Sequence, residues 1–396
     1  MWIESSRCSV HNMKIAVIGD NILDFYVHGT VDRISPESPI PIFRERHYTQ
    51  CAGGSGNVVA NLKAFGVDVT HHRSSVVNSV KKRYVCDNHI LFRTDIEEYV
   101  VNDQTEFDLS GIEYCIISDY NKGFLHHSQR IVDFCKQSGC KVVVDPKKHL
   151  SNYTGADYIK LNEKELKQYT DGESWQDLLR IYGFKGIVVT LGAGGVEIYS
   201  REYIGRIESD VRQVSDVTGA GDVFVASMTY FLARGLDLET ACRKANSLAG
   251  LSVTKFGTYV LTPDDVSKCR TVFTNGCFDI LHRGHIELLE SSKALGSKLI
   301  VGLNSDESIK RLKGDSRPIN NQDDRKAVLK SLGCVDEVIV FDEDTPYDLI
   351  KQLKPDIITK GSDYAVSTVV GNDLAEVVIL PLVDGLSTTK VIERIR

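Results

Sequence analysis

The chain has 396 residues, a length that suggests two or three domains. Hydrophobic residues make up 42% and charged residues 26%, as in ordinary soluble globular proteins. The net charge of −7 argues against a general nucleic-acid or membrane-surface binder, since both need a basic face. No apolar run reaches the roughly 18 residues of a membrane span, and the opening MWIESSRCSVHN lacks the apolar stretch of a signal peptide. Ten cysteines are scattered without a C-x-x-C pair or zinc-ligand spacing with histidine. They predict a reducing, cytoplasmic setting and no structural metal site.

Residues 14–20 read as a buried strand ending in Gly-Asp. Asp20, Asn21 and Asp24 then follow a strand's C-terminal end, where open α/β sheets place their ligands; a capping Asp is the plainer alternative. Residues 34–42 are broken by prolines, which confines them to an edge strand or a lid. Gly53-Gly54-Ser55-Gly56-Asn57 leads into a helix over 58–65 that stops at Gly66, with Asn57 either a cap or a partner for a substrate hydroxyl. Alternation over 82–86 and 89–94 predicts a second pair of lid or edge strands. Lys81, Arg83 and Arg93 there read as a solvated basic edge, with phosphate binding as the alternative.

From Tyr114 strands alternate with helical patterns, which predicts a parallel sheet covered on both faces. Polar residues collect after the strands, at 119, 147, 162 and 190–195, as the rim of one crevice. The run Asp216-Val217-Thr218-Gly219-Ala220-Gly221-Asp222 follows a polar, strand-like segment and opens a helix. The bare N–H groups of Gly219, Ala220 and Gly221, with the helix dipole, suit an anion. Asp222 stands where a carboxylate takes the proton of an attacking hydroxyl. A capped helix start with glycines for close packing is the alternative.

A short polar passage near 262–270 separates two domains, 13–265 and 270–396. The second opens with TNGCFDILHRGH, a strand, a turn and a helix start bearing His282 and His285. Two imidazoles three apart at a helix N-terminus can donate to phosphate oxygens. H-x-x-H without a third ligand is poor zinc chemistry. Strands over 299–303, 338–341 and 357–359 and a basic segment over 310–318 fit a small nucleotide-binding α/β unit. Ser387-Thr388-Thr389 caps a last helix over 390–395, or holds a phosphate.

At Gly53-Gly54 with Asn57, Asn162-x-x-Glu165, Val189–Gly192 and Asp216–Asp222, residues 13–262 resemble the ribokinase/PfkB sugar kinases. With H-x-G-H at 282–285 and Ser387-Thr388-Thr389, residues 271–396 resemble the cytidylyltransferase-like nucleotidyltransferases. Together with residues 33–37 and 304–318, the order is similar to the bifunctional enzymes of ADP-heptose synthesis, a heptose-7-phosphate kinase joined to a heptose-1-phosphate adenylyltransferase. The resemblance implies a ribokinase-like doubly wound α/β sheet with a small β-lid, followed by a smaller Rossmann-like nucleotidyltransferase domain. It implies a soluble enzyme that uses ATP and Mg²⁺ and forms a homodimer through the lid. In the kinase half it makes Asp222 the base and Gly219–Gly221 the anion hole. Asn162 and Glu165 organise Mg²⁺ through water, and Lys147 touches phosphate. Thr190, Gly192 and Gly194 border ATP, while Asp20, Asn21, Gly54 and Asn57 hold the sugar. In the second half His282 and His285 stabilise the reacting phosphate, Thr274, Asn275 and Phe278 flank the nucleotide, and Lys313, Ser387 and Thr388 serve the triphosphate. Asp279 is assigned no part.

One departure stands out. Only about fourteen residues, 67–80, separate Gly66 from Lys81, where the family has a longer passage. Two alternatives stay open: another sugar phosphate, or CTP, in the same two chemistries; and an active nucleotidyltransferase whose kinase-like half is idle or serves dimerisation.

Overall fold

The structure, a computed structural model, describes residues 13–381 except 171, 210 and 212. The chain divides into two compact units between Pro263 and Asp264.

The first unit is built on an eight-stranded sheet and a four-stranded one. Its strands are β1 (Lys14–Gly19), β2 (Asn21–Ile34), β3 (Pro41–Gly54), β4 (Asp68–Arg73), β5 (Ser79–Cys86) and β6 (His89–Glu97). They continue with β7 (Tyr114–Ser118), β8 (Lys141–Asp145), β9 (Tyr158–Asn162), β10 (Gly186–Thr190), β11 (Val196–Ser200) and β12 (Ile204–Ile207). The large sheet runs β12-β11-β10-β9-β8-β7-β1-β4 and is parallel from β10 to β4. Its central strands carry buried Val/Ile-rich runs, as a parallel sheet covered on both faces requires. The chain leaves β1 toward β4 and later returns to β7, so strand order reverses between β1 and β7. A ligand crevice belongs at such a switch point.

The small sheet, β3-β2-β5-β6, is the expected lid. It is larger than the sequence suggested. Asn21 and Asp24 lie inside a fourteen-residue strand rather than in a loop, and the prolines at 36 and 39 sit in the turn that joins β2 to β3. The short passage after Gly66 is visible as β4 passing almost directly into lid strand β5, with β4 left at the margin of the large sheet. The helix after the first glycine cluster starts earlier than expected, at Ser55 (Ser55–Ala64), which puts Asn57 in its first turn. The segment just before Asp216 is not a strand; the last strand ends at Ile207.

The second unit has β13 (Thr271–Gly276), β14 (Lys298–Asn304), β15 (Glu337–Phe341), β16 (Ile357–Gly361) and β17 (Glu376–Leu380). All pair in parallel, in the order β15-β14-β13-β16-β17. Order reverses between β13 and β16, which marks the second crevice.

Candidate active sites

The helix Ala220–Ala233 is apolar nearly all round and almost wholly buried, so its N-terminus is fixed firmly in the first unit. The turn before it is built by Asp216. Its Oδ1 accepts from the Thr218 N–H and hydroxyl at 2.9 and 2.7 Å, and its Oδ2 accepts from the Gly257 N–H at 3.1 Å. Gly219 takes φ +80°, and a Cβ there would stand 2.7 Å from the Asn57 amide nitrogen. Glycine is therefore required both by the turn and by the approach of Asn57. Beneath Gly221 lies the ammonium of Lys160, 2.8 Å from where a Cβ would be; it sits 3.3 Å from both Asp145 oxygens. Sequence reading missed Lys160, because a lysine on a strand carries no mark of burial.

Asp222 is buried, and each of its oxygens has a donor. Asn57 Nδ2 reaches Oδ2 at 3.0 Å and the Tyr120 hydroxyl reaches Oδ1 at 2.8 Å. Burial raises its pKa to about 6, with Asp145 adding to the rise while Asn57, Tyr120 and Lys160 pull it back. The group is ionised at neutral pH yet holds a proton far more readily than an exposed carboxylate, which suits a general base. Tyr120 is the residue the sequence did not single out. Its ring packs against Gly54, where a Cβ would come 3.2 Å from it, and lies 5.3 Å from Lys81 Nζ and 5.7 Å from Lys147 Nζ.

Several residues expected at the sugar have other work. Asn57 gives its amide to Asp222 and its oxygen to Asn61, so it holds that carboxylate in place. Asp20 accepts from the N–H groups of Tyr120, Lys122 and Phe124 and clamps that loop; burial and then Asp119 raise its pKa to about 6. Asn21 is tied to Asn78, Ser74, Val76 and Arg73. Arg83 is not a solvated edge. It is buried and pairs with buried Asp24 at 2.5 Å.

Asn162 and Glu165 form a capping box on the helix Glu163–Tyr169. Asn162 Oδ1 accepts from the N–H groups of Lys164 and Glu165, and Glu165 Oε2 accepts from the Asn162 N–H at 2.8 Å. The other Glu165 oxygen pairs with Lys147. Thr190, Gly192 and Gly195 border an apolar cavity of about 160 Å³ with Val196, Val217 and Phe224. The Gly194 carbonyl is held by Arg206 at 2.9 and 3.1 Å, so Gly194 shapes that loop.

In the second unit a cavity of about 650 Å³ lies at the end of β13 and β16. Asn275, His282, His285 and Lys313 line it together with Asn304 and Lys360. The two imidazoles are stacked, with ring centres 3.9 Å apart. His285 Nδ1 accepts from the His282 N–H at 3.4 Å, which leaves the Nε2–H as the donor. Burial, then His282 and Lys313, lower the His285 pKa to about 4, so the ring is neutral at neutral pH. Phe278, at φ +44°, is buried and sets its ring 5.2 Å from that of His285. It props the imidazole rather than lining the cavity. Thr274 is likewise no lining residue; it is buried, with its hydroxyl on the Thr359 carbonyl. Asp279 is structural: its carboxylate accepts from Arg317 Nε and from the N–H groups of Ile319 and Asn320. Buried Arg325 ties the Cys277 and Asn304 carbonyls together at 2.7 and 2.9 Å, a brace no local pattern announced. Ser387 and Thr388 lie outside the described residues.

Residues 97–265 match the pfkB family of carbohydrate kinases, and residues 273–394 match the cytidylyltransferase-like family. Among solved structures, Escherichia coli phosphofructokinase-2 (TM-score 0.52, 18% identity, covering 65% of this chain and 97% of that one) shares the fold of the first unit. So does Thermotoga maritima ribokinase (TM-score 0.51, 19% identity, 64% and 98%). The bifunctional protein HldE of Mesorhizobium japonicum is 36% identical over 471 aligned positions, covering 97% of this chain and 95% of that protein. That of Nitratiruptor is 37% identical over 462, covering 97% and 99%. Both alignments are longer than this chain's 396 residues, so these relatives carry residues that it lacks. With both domains in the same order and similarity along nearly its whole length, the chain belongs to the HldE family of bifunctional enzymes, a carbohydrate kinase followed by a nucleotidyltransferase.

Proposed function

We propose that the protein phosphorylates D-glycero-β-D-manno-heptose 7-phosphate at O1 with ATP, giving the 1,7-bisphosphate, and, once a separate phosphatase has hydrolysed off the 7-phosphate, transfers the adenylyl group of a second ATP to heptose 1-phosphate, releasing pyrophosphate and ADP-heptose. The observation that carries this is the pairing of a buried, doubly hydrogen-bonded Asp222 at a glycine helix start with a neutral His282–His285 pair in a separate crevice.

In the first step Asp222 takes the proton of the sugar hydroxyl. The O1–P bond forms as the bond from the γ-phosphorus to ADP breaks. The N–H groups of Gly219 and Gly221 hold the transferring phosphoryl, with the Lys160 ammonium beneath them, while the Ala220 N–H closes the turn onto the Val217 carbonyl at 3.3 Å. Gly54 and Tyr120 wall the sugar side, and the apolar cavity beyond Thr190 takes the nucleobase. Asn162 and Glu165 are already hydrogen-bonded, so they fit a hydrated Mg²⁺ through its waters and not by direct coordination. When bound, that ion supplies charge neutralisation on the phosphates. In the second step an oxygen of the sugar 1-phosphate attacks the α-phosphorus and the bond to pyrophosphate breaks, with no covalent enzyme intermediate. His285 Nε2–H donates to the α-phosphate oxygen, and Lys313 faces the triphosphate.

The test uses two variants of the full chain. Asp222→Asn is expected to lower kinase turnover about 10²–10⁴-fold, the usual worth of a general base, and to leave pyrophosphate release from ATP and heptose 1-phosphate intact. His285→Ala is expected to do the reverse. Kinase turnover surviving in the first variant, or wild-type pyrophosphate release in the second, rejects the corresponding half.

The scattered free cysteines support a cytoplasmic setting. The lid supports a homodimer, because Ile90, Phe92 and Ile96 on β6 are exposed large apolar side chains. Light scattering should read twice the 44.1 kDa chain mass; a monomer at micromolar concentration rejects the dimer.

A further inference from the structure

Lys360 lies near the end of β16, beside the point where strand order reverses in the second unit. It lines the 650 Å³ cavity shared with His282 and His285. Nζ donates to the Asn275 carbonyl at 2.9 Å and stands 5.1 Å from the Tyr364 ring centre. Burial lowers its pKa to about 8, with Asp363 and Cys277 acting against that, so it is mostly charged at neutral pH.

The other deeply buried cations among the described residues are matched by carboxylates: Arg83 by Asp24, Lys160 by Asp145, Arg325 by Asp306. Among the described residues no carboxylate lies within ion-pair distance of Lys360, and its one hydrogen-bond acceptor is a neutral carbonyl. An ammonium has three donors, so two remain for a ligand. A desolvated cation with donors to spare, lining a cavity, calls for an anion. The helix start at His282–His285 supplies donors to the same cavity, so a phosphate there meets positive or donating groups from two separate elements.

We propose that Lys360 is a catalytic residue of adenylyl transfer, its ammonium holding a phosphate oxygen of a reactant in the cavity that His285 also lines. The proposal rests on the adenylyltransferase reading above. The phosphate belongs either to the triphosphate of ATP or to the sugar 1-phosphate, and the chemistry of the contact is the same. Charge that builds on phosphate oxygens as the α-phosphorus is attacked strengthens it, so the residue acts on turnover as well as on binding.

The experiment compares Lys360→Met and Lys360→Arg with the wild-type chain. Pyrophosphate release gives kcat and KM for ATP and for heptose 1-phosphate, and calorimetry gives Kd for each. Kinase turnover and the circular dichroism spectrum control for folding. We expect Lys360→Met to lose about 10²-fold or more in kcat/KM, with partial recovery in Lys360→Arg. A rise in KM and Kd confined to ATP assigns the contact to the triphosphate, and one confined to heptose 1-phosphate assigns it to the sugar. A lysine that only braced the Asn275 carbonyl would single out neither substrate. A folded Lys360→Met within threefold of wild type in both kcat/KM values overturns the proposal. If the wild type itself releases no pyrophosphate, the adenylyltransferase reading fails, and the Kd values still judge Lys360: no change in either overturns it.

Discussion

Asp222 has a proton affinity set by residues distant in the chain. Burial raises it, and the donors that offset burial come from Asn57, 165 positions away, and Tyr120, 102 positions away. A base works only when ionised, so the role proposed for Asp222 predicts that kinase turnover falls as pH drops through about 6. Tyr120→Phe removes a donor that favours the ionised form, so the pKa rises and the acid limb moves to higher pH. A kcat profile of the variant measures it; an unmoved or lowered limb contradicts the role given to Tyr120. The loop bearing Tyr120 hangs on Asp20, which titrates in the same range, so acid weakens the base's support as it neutralises the base. The glycine run and Asp222 were legible in the sequence because they are consecutive. Tyr120, Lys160 and Arg325 were not, because their partners are fixed only by tertiary folding.

At the level of elements, residues 162–165 show how one motif serves two ends. N-x-x-E is a helix start by its hydrogen bonds, and its glutamate also pairs with Lys147. Asn162→Ala should cost about 1 kcal/mol of stability, the usual worth of an N-cap, on top of any loss of kinase turnover. Chemical denaturation followed in the first unit reads it, and an unchanged midpoint would leave the residue a purely catalytic part. The parallel strands were legible because buried Val/Ile runs bounded by polar ends leave few alternatives. The lid was legible only in part. β2 and β3 each run fourteen residues with mixed polarity, since one end of the hairpin enters the buried crevice and the other is exposed. Arg83 was misread for the same reason: period-two alternation tells which residues share a face, not which face is covered.

On the scale of the whole molecule, the two units answer acidity differently. The proposed kinase base titrates near 6, whereas His285, at about 4, stays neutral well below that. Mild acid should therefore slow the kinase step before it slows adenylyl transfer. The order of the two domains was legible because each begins with its own strand and glycine turn. The short passage after Gly66 was legible too, but not its result, which is a sheet that simply ends at β4. That ending bears on how copies of the chain meet. Unpaired strand edges invite another strand, and folded proteins guard them with charge or brevity. Here one margin reads Asp-Val-Thr-His-His-Arg and the other, β12, is four residues long and carries Arg206. Neither margin is a good template for continuing the sheet into a second molecule. The margin at β4 is thus a polar border, one that guards the chain against stacking edge to edge into fibres.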